Sequence, residues 1–200
     1  MSRLNTVLIL VAMVAATKKI DPADLEMTKY VEMKFKVGKE VLAEPIRIGL
    51  FGKDVPKGVE NFYDLCTNRN LKYKEQKLSY VGLSLYRIIH NYVMQGGEFP
   101  GNKSISKWGE PFESEDLEIA HRVGAISYLS TKDFGNGSLF VISVINNPHL
   151  DHKHQVFGRI VKGMDVIYKV DRLAGSPTGE PSQPVVIHDC YDPYANDTDV

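Results

Sequence analysis

Val31, Met33, Phe35 and Val37 alternate with Glu32, Lys34 and Lys36, and Ile46, Ile48 and Leu50 repeat the alternation beyond a Gly38-Lys39 turn. Successive side chains of a strand point to opposite faces, so a period of two predicts a hairpin with one buried face. The same grammar runs on along the chain. Gly124 to Leu129, Leu139 to Ile145, Val156 to Val161 and Val185 to Ile187 are short apolar runs bounded by Gly, Asn or Pro. Leu83 to Gln95 is a longer apolar and aromatic run, ended by Gly96-Gly97. Many short strands between glycine-marked turns bury their apolar faces by stacking two sheets or by closing one sheet on itself. A mainly β barrel or sandwich is therefore expected.

Two segments carry helical spacing instead. Pro56 suits a first helical position, where its missing N–H costs nothing. Val59, Phe62 and Cys66 then share a face. Val166, Ile167 and Val170 do the same within Met164 to Leu173. These helices would cap the sheet. Thr67 to Lys77 is polar and is expected to be a loop. No internal repeat or low-complexity segment interrupts this order.

The ends read differently. Arg3 precedes ten apolar residues, Val7 to Ala16, and Val14 and Ala16 fit a cleavage site before Thr17. That is the secretory pattern, and residues 1–16 are expected to be a signal peptide. An uncleaved anchor or a core element is the alternative, but the run is far short of the ~20 residues that span a bilayer. Residues 17–29 form an N-terminal extension, and 192–200 an acidic polar tail without a KDEL-type retention signal. Secretory entry leaves the lumen of the endoplasmic reticulum, a vacuole or the exterior as destinations.

Charge excludes one class of partner. Lys+Arg number 24 and Asp+Glu 25, so the basic excess of a nucleic-acid binder is missing. Two cysteines, Cys66 and Cys190, are too few for a disulfide scaffold. His149, Asp151, His152 and His154 invite a zinc reading, but six residues on one loop rarely converge as a tetrahedron, and no other Cys/His cluster adds a ligand. No metal and no cofactor are expected. Asn102, Asn136 and Asn196 head glycosylation sequons; Asn102 and Asn196 are the candidates, Asn196 the more accessible, whereas Asn136 sits in a tight Gly-Asn-Gly-Ser turn. No nucleophile elbow, Ser-His-Asp order or acidic pair is present. An enzyme built on this chain would work without a covalent nucleophile, as an isomerase does when it only lowers a torsional barrier.

Several motifs, in one order, carry a resemblance. Val55-Pro56-Lys57, Glu60-Asn61-Phe62, Tyr86-Arg87-Ile88-Ile89 and Met94-Gln95-Gly96-Gly97-Glu98-Phe99 resemble the cyclophilin-type peptidyl-prolyl isomerases. So do Gly135-Asn136-Gly137-Ser138, Leu150-Asp151, His154, Val156-Phe157-Gly158 and Gly163-Met164, over Tyr30 to Tyr191. The resemblance implies a closed eight-stranded antiparallel barrel capped by two α-helices. It implies rotation about X-Pro peptide bonds, against an amide barrier of ~18–20 kcal/mol. Its partners would be proline-containing peptides or unfolded chains, bound by a monomer.

Residue by residue, Arg87 matches the family's catalytic arginine. Gln95 matches the glutamine that binds substrate backbone, Tyr92 the pocket phenylalanine, His154 the pocket histidine and Leu150 the pocket leucine. Val93 stands at the pocket methionine. The departures are Leu139 for glutamine, Val141 for the phenylalanine at the pocket floor, His149 for tryptophan, and Leu129-Ser130 for an Ala-Asn pair. Valine removes apolar area worth on the order of 1–2 kcal/mol of proline affinity. A weakened or selective isomerase with weak cyclosporin binding is expected; a non-catalytic proline-peptide binder on the same fold is the alternative. Some relatives with a longer loop after the first helix carry a cysteine pair resembling a redox switch. For Cys66 and Cys190, that switch, a structural disulfide and two buried free thiols all stay open.

Overall fold

The computed structural model describes residues 19–101, 103–130 and 135–195. The expected signal segment 1–16 and the sequon residues Asn102 and Asn196 lie outside the described residues. In chain order the elements are β1 (Lys29–Val37), β2 (Glu40–Val41), β3 (Ile46–Leu50), α1 (Pro56–Thr67), β4 (Lys72–Tyr73) and β5 (Gln76–Lys77). They continue as β6 (Arg87–Ile89), β7 (Val93–Gly96), β8 (Ala125–Tyr128), β9 (Phe140–Ser143), β10 (Val156–Lys162), α2 (Met164–Ala174) and β11 (Val185–Tyr191).

Eight strands follow one antiparallel path, β11-β1-β3-β10-β8-β9-β7-β6, with β2 beside β1. The sheet curls until its ends meet. The Leu85 N–H donates to the Val185 carbonyl and the Ile187 N–H to that of Leu83, both at 2.9 Å. Closure therefore runs through the segment just before β6, not through β6 itself. That segment is the chain's lead into Arg87.

Alternation is kept in β1 with one exception. Val31, Met33 and Phe35 are fully buried, as expected. Glu32 is buried as well, because the Arg47 guanidinium and the Tyr191 hydroxyl satisfy its carboxylate at 2.7 Å each. Two other segments differ from expectation. The polar stretch 67–77 contains the β4–β5 hairpin, too short and exposed to show periodicity. The apolar run 83–95 is two strands, β6 and β7, folded back through a turn with Asn91 at φ 55°.

No side chain caps α1 from its own N-terminus. Glu115 does so from elsewhere, its carboxylate accepting from the Lys57 N–H at 2.9 Å and the Gly58 N–H at 2.8 Å. An acidic group there also opposes the positive end of the helix dipole. The helix then drives Phe62 into the barrel, where its ring lies 4.7 Å from Phe157, 5.1 Å from Tyr80 and 5.7 Å from Phe140. The polar ends of this aromatic cluster are spent on backbone. Tyr80 donates to the Ser138 carbonyl, and the Asn61 amide to that of Gly137. The core thus fixes the turn that leads into β9.

Cys66, at the end of α1, is joined to Cys190 by a disulfide, with Cα atoms 5.1 Å apart. Cys190 lies inside β11, beyond the apolar run Val185 to Ile187. That strand runs on past Ile187 because β1 continues to pair with it, Met33 opposite Cys190.

Candidate active site

Strand register decides which side chains meet outside the barrel. Arg87 in β6 stands opposite Gln95 in β7, and Gln95 stands opposite Val141 in β9. Directly opposed residues of an antiparallel sheet share a face. Their neighbours Ile88, Met94, Phe140 and Ile142 point inward and belong to the core cluster. Val93 and Val141 are buried too, yet stand outside that cluster. They are the floor of a pocket on the outer face.

That pocket, of about 170 Å³, is lined by Arg87, Ile89, Tyr92, Val93, Gln95, Leu129, Val141, Leu150 and His154. Eight of the residues expected at a proline site therefore converge. The other three do not line it directly. His149 stacks on Tyr92, with centroids 5.4 Å apart and planes at 25°, and its Nε2 hydrogen-bonds the Tyr92 hydroxyl. It props a wall from behind. Ser130 donates to the Lys153 carbonyl at 3.2 Å and lies 3.4 Å from His154 Nδ1. Leu139 is committed to backbone, its carbonyl accepting from the Leu129 N–H at 3.0 Å. Ile89 was not singled out from sequence. It is two residues beyond Arg87 on the same strand, so its place on that face was available from the period of two.

Three histidines of one loop go to three different neighbours. His149 meets Tyr92, His152 Nδ1 lies 3.5 Å from Glu118, and His154 faces Ser130. Among the described residues no group of three or more His, Cys, Asp or Glu is gathered to hold a metal ion.

Electrostatically the pocket has one fixed charge. Burial, with the nearby Lys153 ammonium adding to it, pulls the His154 imidazole below its ordinary range. His154 is therefore neutral at neutral pH. Arg87 is the one cationic side chain among the lining residues. Its stem is held by an absence: a Cβ on Gly179 would come 2.9 Å from Arg87 Cγ and 3.0 Å from Nε. Gly179 has φ +91° and its carbonyl accepts from the Ile88 N–H at 2.8 Å. Nothing in the stretch 175–180 singled it out before folding.

The sequence profile of the family described as cyclophilin type peptidyl-prolyl cis-trans isomerase/CLD matches residues 31–192. The chain is 36% identical over 171 residues to peptidyl-prolyl cis-trans isomerase CYP21-1 of Arabidopsis thaliana, covering 83% of this chain and 76% of that protein. It is 35% identical over 178 residues to peptidyl-prolyl cis-trans isomerase B of Saccharomyces cerevisiae, covering 86% and 83%. The barrel order, the outer-face pocket and these matches agree: the chain belongs to the cyclophilin-type peptidyl-prolyl cis-trans isomerases.

Proposed function

We propose that this protein accelerates X-Pro bond rotation in chains folding in the secretory pathway, with Arg87 as the donor to the transition state. The observation that carries this reading is a single cation beside a small pocket floored by Val93 and Val141. As the amide twists, the prolyl nitrogen becomes pyramidal and regains its lone pair. A fixed donor meeting that lone pair binds the twisted form better than either planar isomer. Guanidinium suits the task, being permanently charged with donors in a rigid fork. Gln95, across the hairpin from Arg87, is the residue to hold substrate backbone. Tyr92, Val93, Leu129, Val141 and Leu150 enclose the proline ring, and neutral His154 closes the polar side. Arg87→Ala should slow proline-limited refolding of a test protein by about a hundredfold or more. An unchanged rate would reject this assignment.

The Cys66–Cys190 bond supports an oxidising compartment, since disulfides persist there and are rare in the cytosol. The expected signal over 1–16 points the same way. Among the described residues no helix is long and apolar enough to cross a membrane. The smaller floor at Val141 favours a second reading, a binder that holds proline segments without turnover. Binding of an X-Pro peptide without acceleration would select it.

A further inference from the structure

We propose that Lys19, in the segment before β1, is a positioning residue of the proline site. Its ammonium holds Asp151, and through it the turn that carries Leu150 and His154 into the pocket. The inference rests on the reading of that pocket as the proline site.

Lys19 Nζ lies 2.8 Å from Asp151 Oδ2, and the Asp151 side chain is 4% exposed. The other carboxylate oxygen accepts twice from His121, from its backbone N–H at 2.8 Å and from ring Nδ1 at 2.9 Å. Burial alone would raise the pKa of Asp151; the Lys19 ammonium and the two His121 donors outweigh it and hold the group below its ordinary range. Asp151 is therefore a carboxylate that can only accept, so His121 must present its Nδ1 proton. Burial keeps His121 itself neutral, pulling it below the usual histidine range. With the ring uncharged, Lys19 is the full positive charge on this buried anion. A buried carboxylate that loses its cation is costly to keep in place.

The backbone makes the arrangement a strap rather than a chance contact. The Ile20 N–H donates to the Glu118 carbonyl and the Ala120 N–H to that of Ile20, both at 2.9 Å. Asp21 then meets Arg122 Nε at 3.1 Å. The segment 117–122 in turn holds the pocket loop. The Asn147 N–H donates to the His121 carbonyl at 2.8 Å and the His152 N–H to that of Leu117 at 3.3 Å. Asp151 directly follows the 3-10 turn Pro148–Leu150, and the His154 N–H donates back to the Leu150 carbonyl at 3.3 Å. Lys19, Asp151 and the two pocket residues are thus one mechanical unit. Arg87 and Gln95 stand on other strands. Loosening the strap should accordingly weaken binding and spare the rotation step.

Lys19→Met and Lys19→Arg in the full chain test this. Lys19→Met should speed amide exchange over 150–154 roughly fivefold or more, leaving the β1–β11 amides as protected as before. It should weaken affinity for an Ala-Pro peptide, followed by NMR titration, by a similar factor with kcat held. Lys19→Arg should restore both. Wild-type exchange in the turn, or faster exchange with unchanged affinity, would overturn the proposal. Wild-type protein that binds the peptide without turning it over sinks the isomerase reading alone, because exchange and affinity are read without catalysis.

Discussion

Breaking the Cys66–Cys190 bond should remove a large part of this protein's stability while leaving its chemistry alone. The two residues are 124 apart in sequence. In the chain-entropy account, closing a loop of that length takes roughly 16–17 cal/mol/K from the unfolded ensemble, about 5 kcal/mol at 25 °C. Residual structure in the unfolded chain lowers the figure, so a loss of about 2–5 kcal/mol is expected. Urea unfolding of the oxidised protein, the same protein under reductant, and a Cys66→Ala/Cys190→Ala variant separates the causes. The reduced protein keeps both sulfur atoms in their buried places, so its loss isolates the crosslink. The variant adds whatever packing the sulfurs supply. Cys190 faces Met33 in β1, beyond the Val185–Ile187 stretch that touches the lead into β6, so kcat of the folded, reduced protein should match that of the oxidised one. A stability loss under about 1 kcal/mol would refute the entropy argument. Turnover that changes on reduction while the fold persists would show a redox switch instead of a staple.

Two further outcomes follow from the site and its surroundings. Gly179→Ala places a methyl group against the Arg87 stem at a left-handed φ of +91°. Turnover of an X-Pro peptide should fall about tenfold or more, since small misplacements of a catalytic group are costly; full activity would show that Arg87 has room to spare. Stability should hold from pH 8 to 7 and decline below about 6.5, because unfolded His121 takes up a proton there while burial denies it one in the fold. His154 acts with the same sign, and Asp151 adds its loss only below about pH 4, where the unfolded carboxyl protonates first. A urea midpoint that stays flat or rises between pH 7 and 5 would contradict this.

The strands were legible where one face is buried and the other wet. Ile46–Leu50 came out with its bounds as read, and β1 shows the alternation except at Glu32, whose ion pair with Arg47 no periodicity announces. Where both faces are covered the pattern goes silent, and 83–95 could not reveal the turn at Asn91. Closure of the sheet was beyond the pattern, because it joins residues about a hundred positions apart. The site divides in the same way. Arg87 alone reads as an exposed cation; only the resemblance marked it out. Ile89 was implicit in the strand period. Lys19, Gly179 and Glu115 act through contacts that exist only after folding, and nothing in their own neighbourhoods distinguishes them.

The meeting of β11 with both β1 and the lead into β6 has a consequence for how the molecule is made. β11 is the last of the elements in chain order, so it is synthesised after every strand it must join. Until then β1 keeps an open edge, Cys66 is a lone thiol and the path into Arg87 is unzipped. Such contacts of long sequence separation are slow to form. A nascent chain must therefore wait, exposed along one strand, for β11 to be made. One late strand thus closes the sheet, supplies the partner of Cys66 and fixes the lead into Arg87.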